Sequence, residues 1–183
     1  MRFSILAGFV GATLALTVLP ASAAWHGYVS REVGFSFTAP GDVKTEKANY
    51  AAQGARDSGV FRSSDNNIEY KVTVVNFTGS GKSEQDLIKE AATKFLAGKK
   101  VLSDVDARVD QNYGRKLTVD LPNNGGRSMA GFYYKNNHLI ELEVTVLPAN
   151  GDYQTPDTGR FVDSIAFLDS RVEKDATEVK LPK

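Results

Sequence analysis

The sequence predicts an α+β domain in which a mostly antiparallel β-sheet is flanked by helices. Two segments, 68–77 and 139–147, alternate apolar and polar residues with a period of two, as half-buried strands do. The second of these follows another predicted strand, 128–135, after a two-residue Asn-Asn turn, which is typical of an antiparallel hairpin. Residues 83–97 instead carry apolar side chains at helical spacing, so we expect this helix to pack on the sheet.

The other elements follow from the same periodicities and from turn residues. Pro40-Gly41-Asp42 ends the first predicted strand, and Thr155-Pro156 begins a second helix as N-cap and first-turn proline. Beyond Leu168 the chain is charged and has no apolar period. We therefore predict one domain over 24–169 and a flexible tail over 170–183. The further predicted strands are 32–39, 43–49, 59–63, 101–109 and 116–121.

The first 23 residues have the pattern of a secretory signal peptide. Arg2 supplies a positive start, 3–19 are apolar or small, and Ala21-Ser22-Ala23-Ala24 is a small-residue cleavage site. Cleavage after Ala23 is the first choice and cleavage after Ala24 the second. The run is shorter than the about 20 strongly apolar residues of a membrane helix. We expect export to the periplasm or beyond, with no membrane anchor after cleavage.

The composition limits the chemistry that this chain supports. It has no Cys, only two His and a formal net charge of zero. Without Cys it has neither disulfides nor thiolate metal ligands, and it has no cysteine to carry a lipid. The balanced charge provides no basic field for nucleic acid. We therefore expect no cofactor and a binding or accessory role rather than an enzymatic one.

The chain contains the segments GFSFTAP (34–40), YKVTVVNF (70–77), YGRKLTVD (113–120), GFYYKNNHLIELEVTV (131–146) and GRFVDSIAF (159–167). Together these segments resemble the PsbP-like family, whose α/β/α sandwich is shared with the Mog-type Ran-binding proteins. The resemblance covers 28–168 and implies that fold in an exported bacterial member. The family includes a photosystem II extrinsic subunit, a nuclear-transport partner, secretion-effector chaperones and bacterial envelope proteins. It therefore implies binding without naming a partner, and no functional residue can be transferred.

Two groups of residues predict a divalent-metal site, which is the alternative function. If cleavage follows Ala23, the mature chain begins Ala24-Trp25-His26, whose terminal amine, two backbone amides and imidazole can enclose Cu(II) or Ni(II) in a square plane. Asp104, Asp106 and Asp110 have the same parity on a predicted strand and could offer oxygen ligands to Ca²⁺. The competing interpretation of these three carboxylates is a solvated strand face.

The remaining candidates concern a partner surface and a hydrolase. Tyr113, Arg115, Tyr133 and Tyr134 are candidates for a surface that contacts an envelope protein or a small ligand, since exposed aromatic patches mark binding sites. A hydrolase, the third possibility, would need His138 as its base, although a solvated turn residue is the simpler interpretation. Glu141 and Glu143 are interpreted as part of a solvated strand face, since sequence does not show whether carboxylates converge across a cleft.

Overall fold

The computed structural model describes residues 23–168 and 175–182, which form eleven strands, two α-helices and two short 3-10 helices. The α-helices are α1 (Glu84–Leu96) and α2 (Pro156–Val162). The strands are β1 (Trp25–Ser30), β2 (Phe35–Pro40), β3 (Lys44–Lys47), β4 (Ser58–Asp65), β5 (Ile68–Asn76), β6 (Lys100–Val109), β7 (Asn112–Asp120), β8 (Arg127–Lys135), β9 (His138–Val146), β10 (Ala166–Phe167) and β11 (Thr177–Glu178).

Two sheets organise these strands. The larger has seven strands in the order β3-β4-β5-β9-β8-β7-β6, and all of its neighbours are antiparallel. The smaller has the order β10-β2-β1-β11, with only the β1–β11 pair parallel. The predicted α+β class with a mostly antiparallel sheet is confirmed. The sequence did not predict β1, β10 or β11.

The main core lies between the two sheets, and α2 packs against it. The alternation predicted for β9 is realised here, because Ile140, Leu142, Val144 and Val146 all point into this core. From the smaller sheet, Phe37 stacks on Tyr28 and on Phe61 with ring centroids 5.4 and 6.0 Å apart. Aromatic pairs in this range add favourable contacts beyond the area that they bury.

Helix α1 covers part of the opposite face of the large sheet. Ser83 caps the helix by accepting a hydrogen bond from the backbone N of Asp86, at 3.2 Å. The apolar side of α1 buries Leu87, Ile88 and Phe95 against residues of β7 and β8. Because α1 is short relative to the width of a seven-stranded sheet, the part of this face carried by β4, β5 and β9 extends beyond it.

Strand β6 forms one edge of the large sheet and carries exposed Val101, Leu102 and Val105. A register shift between Val101 and Ser103 interrupts its pairing with β7. Bulges and charged residues protect edge strands from pairing with another chain. The shift, together with flanking Lys100, gives this edge both forms of protection.

The C-terminal prediction was wrong for residues 175–182, which dock on the domain instead of fraying. Strand β11 pairs with β1, and the backbone N of Val179 donates to the carbonyl oxygen of Val29 at 2.8 Å. Val179 is buried, and Pro182 lies so close over Gly59 that a Cβ there would be 2.6 Å from its Cδ. The edge of β1 has backbone groups that need a hydrogen-bond partner. A short polar segment can pair with them, and this pairing does not require an apolar period in its sequence. Residues 170–174 and 183 lie outside the described residues.

We expect Val179→Ala to lower the free energy of unfolding by about 1–2 kcal/mol, because the side chain is buried and the substitution removes two carbon atoms. Urea unfolding measures this change. The matched control is Glu178→Ala on the same strand, where the side chain is exposed and we expect a change within about 0.5 kcal/mol. Equal values for the two variants would show that the tail does not dock in solution.

The predicted signal peptide, 1–23, lies outside the described residues except for Ala23, and the domain boundaries 24–169 stay a prediction. In the part of the chain that the structure describes, no helix is long and apolar enough to cross a membrane.

Candidate functional site

A pocket opens where α1 ends and the large sheet continues. It has a volume of about 520 Å³, within the range of small-molecule sites. We call it the Glu141 pocket. Its floor is formed by β4, β5 and β9, one wall by the C-terminal half of α1, and the opposite side by β3 and the segment that follows it. Its lining residues are Glu46, Lys47, Ala48, Asn49, Tyr50, Val60, Arg62, Lys71, Thr73, Ala91, Lys94, Phe95, Lys99, Glu141 and Glu143.

Glu141 lies on the floor of this pocket. On β9 it pairs with Thr73 of β5 on one side and with Phe132 of β8 on the other. The residue is only partly exposed, and no described residue forms a hydrogen bond or salt bridge with its carboxylate. Burial is the main cause that raises the pKa of Glu141 to about 7; the neighbouring Glu143 carboxylate also raises it, and the three nearby lysines lower it.

The other two carboxylates of the pocket are already paired. Glu143 forms a salt bridge with Lys71, the residue opposite it on β5, and accepts a hydrogen bond from the hydroxyl of Ser128 at 3.2 Å. Glu46 pairs with Arg62 across β3 and β4, with the Nε and Oε2 atoms 3.3 Å apart. Glu141 is therefore the one carboxylate of the pocket without a cation of its own among the described residues.

Two lysines of the pocket lie on aromatic rings and not on carboxylates. The Nζ atom of Lys94 is 4.2 Å from the centre of the Tyr50 ring, and that of Lys99 is 3.7 Å from the centre of the Phe95 ring. Such cation–π contacts leave the ammonium hydrogens free for another partner. Burial lowers the pKa of Lys99, so this ammonium has lost part of its hydration.

The lining carries five cationic side chains and three carboxylates. Its net charge is therefore +2 when Glu141 is ionised and +3 when it is protonated. A concave, largely polar site with this excess attracts anions.

The predicted acidic strand face does not form a metal site. Arg115 on β7 donates two hydrogen bonds to the Asp104 carboxylate, at 2.7 and 2.6 Å, and the Tyr113 hydroxyl donates to Asp106 at 2.7 Å. Asp110 lies beyond the end of β6 with a positive φ of 53°, so it does not share the strand face as predicted. Among the described residues no group of three His, Cys, Asp or Glu side chains could hold a metal ion.

Tyr113 and Arg115 thus belong to a cross-strand cluster with two of the predicted metal ligands. The cluster borders a groove beside the first half of α1, and its one cation, Arg115, is paired with Asp104. The hydrogen bond to Asp104 raises the pKa of Arg115, as expected for an ion pair. Cross-strand pairs of this kind stabilise a sheet by a few tenths of a kcal/mol to about 1 kcal/mol.

Tyr133 and Tyr134 do not form an exposed patch. Both are buried, one in each core, because β8 is an inner strand covered by α1 on one face and by α2 and β10 on the other. The Tyr133 ring occupies the space that Gly114 leaves on the neighbouring strand, where a Cβ would overlap it. The expectation of a partner surface at these two tyrosines was therefore wrong, since apolar residues on both faces indicate an inner strand.

The predicted N-terminal metal ligands lie in strand β1. The backbone N of Gly41 donates a hydrogen bond to the carbonyl oxygen of Ala24, at 2.8 Å. In an antiparallel ladder every second pair of opposite residues is hydrogen-bonded, so His26 and Ala39, which lie opposite each other, are also a hydrogen-bonded pair. Trp25 packs under Arg160, whose Cζ atom is 4.1 Å from the ring centre. Enclosing Cu(II) would require these residues to leave the sheet. The site stays a prediction that depends on cleavage after Ala23.

His138 lies at the start of β9, where its Nδ1 atom is 2.6 Å from the backbone oxygen of Asn136. Among the described residues, no carboxylate orients this imidazole and no serine hydroxyl is bonded to it. A Ser-His-Asp arrangement therefore does not form around His138 in the part of the chain that is described.

The Glu141 pocket was not predicted from the sequence. Glu141 and Glu143 were interpreted as residues of a solvated strand face, and that face of β9 does lie outside the main core. The residues that enclose the face come from α1, from β3 and from the segment that follows it. No sequence pattern on β9 indicates how far α1 extends across the sheet.

The fold and this geometry can be compared with known proteins. A solution structure of cyanobacterial PsbP (CyanoP) from Synechocystis sp. PCC 6803 superposes with a TM-score of 0.53, covering 84% of this chain and 98% of that one. The fold is PsbP-like. The two sequences are 14% identical, so the match concerns the PsbP-like fold alone. Comparisons with protein families and with curated protein sequences find no match.

Proposed function

We propose that this protein is an exported, non-catalytic binding protein that receives a small ligand or a partner's side chain in the Glu141 pocket. One observation carries the proposal: a carboxylate at the floor of the pocket forms no hydrogen bond or salt bridge with a described residue, and the two lysines beside it form no salt bridge with a described carboxylate. Groups that a domain needs for its own stability pair with each other, as Glu143 does with Lys71. Groups left unpaired in a cleft indicate a site that a ligand completes.

Export and a periplasmic location are part of the proposal. The signal-peptide pattern of the first 23 residues supports them. Mass spectrometry of the protein from a periplasmic extract is expected to give a mature chain starting at Ala24. A chain starting at Met1, found only in the cytoplasm, would contradict export.

The binding proposal is tested by a small-molecule screen observed through the backbone amide resonances of the purified protein. We expect hits to move the resonances of Thr73, Phe95 and Glu141, and Glu141→Ala to abolish or weaken those shifts. Glu69→Ala is the matched control, because Glu69 is an exposed glutamate on β5 outside the pocket. A screen whose hits perturb only other surfaces would contradict the proposal.

The same carboxyl favours a second candidate, a hydrolase that uses Glu141 as general acid or base. A pKa of about 7 suits proton transfer near neutral pH. The carboxylate of Glu143, the other acidic residue of the pocket on β9, is neutralised by Lys71, so it is poorly suited to act as a nucleophile. Hydrolysis of any ester or glycoside panel member that is lost in Glu141→Gln would support the enzyme and contradict the binding protein.

A further inference from the structure

We propose that the Glu141 pocket takes a small organic carboxylate, whose anionic group lies between Lys94 and Lys99 while Glu141 is protonated. This inference rests on the proposed function and adds the charge and chemical class of the ligand. It concerns reversible binding only, and the proton that Glu141 takes up comes from solvent.

The pocket keeps an excess of positive charge after the salt bridges within it are counted. Arg62 is engaged by Glu46 and Lys71 by Glu143, so these four side chains contribute little net field. The cations that remain are Lys47, Lys94 and Lys99, and they face a single carboxylate, Glu141. The pocket therefore lacks negative charge, which an anionic ligand supplies.

Lys94 and Lys99 lie on the same side of the pocket. Lys94 is on α1 and Lys99 follows the turn at its end, so both ammonium groups project from the same wall of the pocket. Each already lies on an aromatic ring, and Lys94 also donates to the backbone oxygen of Ala51 at 3.3 Å. A carboxylate between them would add charge-assisted hydrogen bonds without breaking an existing salt bridge.

The aromatic rings beside the two lysines favour a ligand with an organic body. Tyr50 is held by an edge-to-face contact with Phe77, and Phe95 by one with Phe132, with ring centroids 6.4 and 5.7 Å apart. They give the pocket apolar walls next to its cations. An organic body attached to the carboxylate can pack on these walls, whereas an inorganic anion cannot.

An ionised Glu141 would repel an anionic ligand. The charged and titratable groups that face it are Glu143 on β9, Lys71 on β5, Lys94 on α1, Lys99 after α1, and Tyr50 on the segment after β3. Glu46, Lys47 and Arg62 lie farther out on β3 and β4. Protonation removes the repulsion and turns the carboxyl into a hydrogen-bond donor. The pKa of about 7 makes this uptake inexpensive near neutral pH.

Three probes of the same shape test the proposal: benzoate, benzamide and benzamidine carry charges of −1, 0 and +1. Each is titrated into the purified protein at pH 6 and pH 8 while the amide resonances of the pocket are followed. We expect benzoate to bind at pH 6 at least about tenfold more tightly than benzamidine. Its affinity should fall about tenfold at pH 8, as the protonated fraction of Glu141 falls.

Variants separate the two parts of the inference. Lys99→Met should weaken benzoate binding several-fold at both pH values, whereas Lys89→Met, an exposed lysine of α1 outside the pocket, should not. Glu141→Gln should keep benzoate binding at pH 6 and remove its decline at pH 8, because the amide resembles the protonated acid. A native pattern of amide resonances verifies that each variant is folded.

The outcomes distinguish this inference from the proposed function. If benzamidine or benzamide binds in the pocket more tightly than benzoate, or if benzoate binds better at pH 8, the anion inference is wrong and the pocket remains a ligand site. If none of the three probes moves the pocket resonances, the anion inference is contradicted, and the proposed function is contradicted only if the hits of the wider screen also leave the pocket resonances unchanged.

Discussion

Glu141→Gln is expected to raise the free energy of unfolding at pH 8 by up to about 3 kcal/mol. The folded-state pKa of Glu141, about 7, lies above its ordinary value of 4.5. Between these values the folded chain binds more protons than the unfolded chain, so this residue makes stability fall as the pH rises. Above pH 7 the loss is complete. Gln carries no charge and does not undergo this loss, so the gain should shrink below about 1 kcal/mol at pH 5.

Urea unfolding at pH 5, 6, 7 and 8 measures this effect. Glu143→Gln is the informative comparison, because Glu143 is bound to Lys71 and to Ser128 and its neutralisation should destabilise the fold at pH 8. Glu69→Gln, at an exposed site on β5, should change the free energy of unfolding by less than about 0.5 kcal/mol. A Glu141→Gln variant that is less stable than wild type at pH 8 would show that Glu141 stabilises the domain and is not reserved for a ligand.

Gly126→Ala is expected to lower the free energy of unfolding by about 3 kcal/mol or more. Gly126 precedes β8 with a φ of +102°, which side-chain-bearing residues rarely adopt. A Cβ there would overlap the carbonyl oxygen of Val146, which is backbone of the adjacent β9. Relief would require the first pair of the β8–β9 ladder, Arg127 with Val146, to move apart.

Gly151→Ala isolates the contribution of the clash. Gly151 also has a positive φ, of 81°, but a Cβ there would meet nothing within 4 Å. We expect Gly151→Ala to cost about 1 kcal/mol, from backbone strain alone. Thermal or urea unfolding of both variants gives the difference. If Gly126→Ala costs no more than Gly151→Ala, the β8–β9 ladder is looser at this end than the structure shows.

The elements that the sequence predicted are those whose pattern is local. The period of two in β5 and β9 and the apolar stripe of α1 appear in short windows, and the structure places their buried faces as predicted. Strand β11 has two residues in its ladder, so no period can be recognised in it. Its position is determined by the unpaired edge of β1, which is distant in sequence.

The site was harder to predict than the fold. Glu141 and Tyr134 lie on the same side of the large sheet, on neighbouring strands, yet only Tyr134 is buried under α1. The sequence assigned Tyr134 to a surface and Glu141 to solvent, because strand periodicity indicates which face a residue is on and not how that face is covered. The extent of coverage depends on where α1 packs, which is a property of the whole domain.

The pairing of β11 with β1 has a consequence for how the chain is made. The first strand of the domain is bounded on one side by β11, which is synthesised after every other strand that the structure describes. During synthesis its outer edge must stay unpaired until those residues arrive, and open strand edges favour association between chains. A nascent chain arrested shortly before Thr177 would carry nearly the whole domain and still expose that edge to its neighbours.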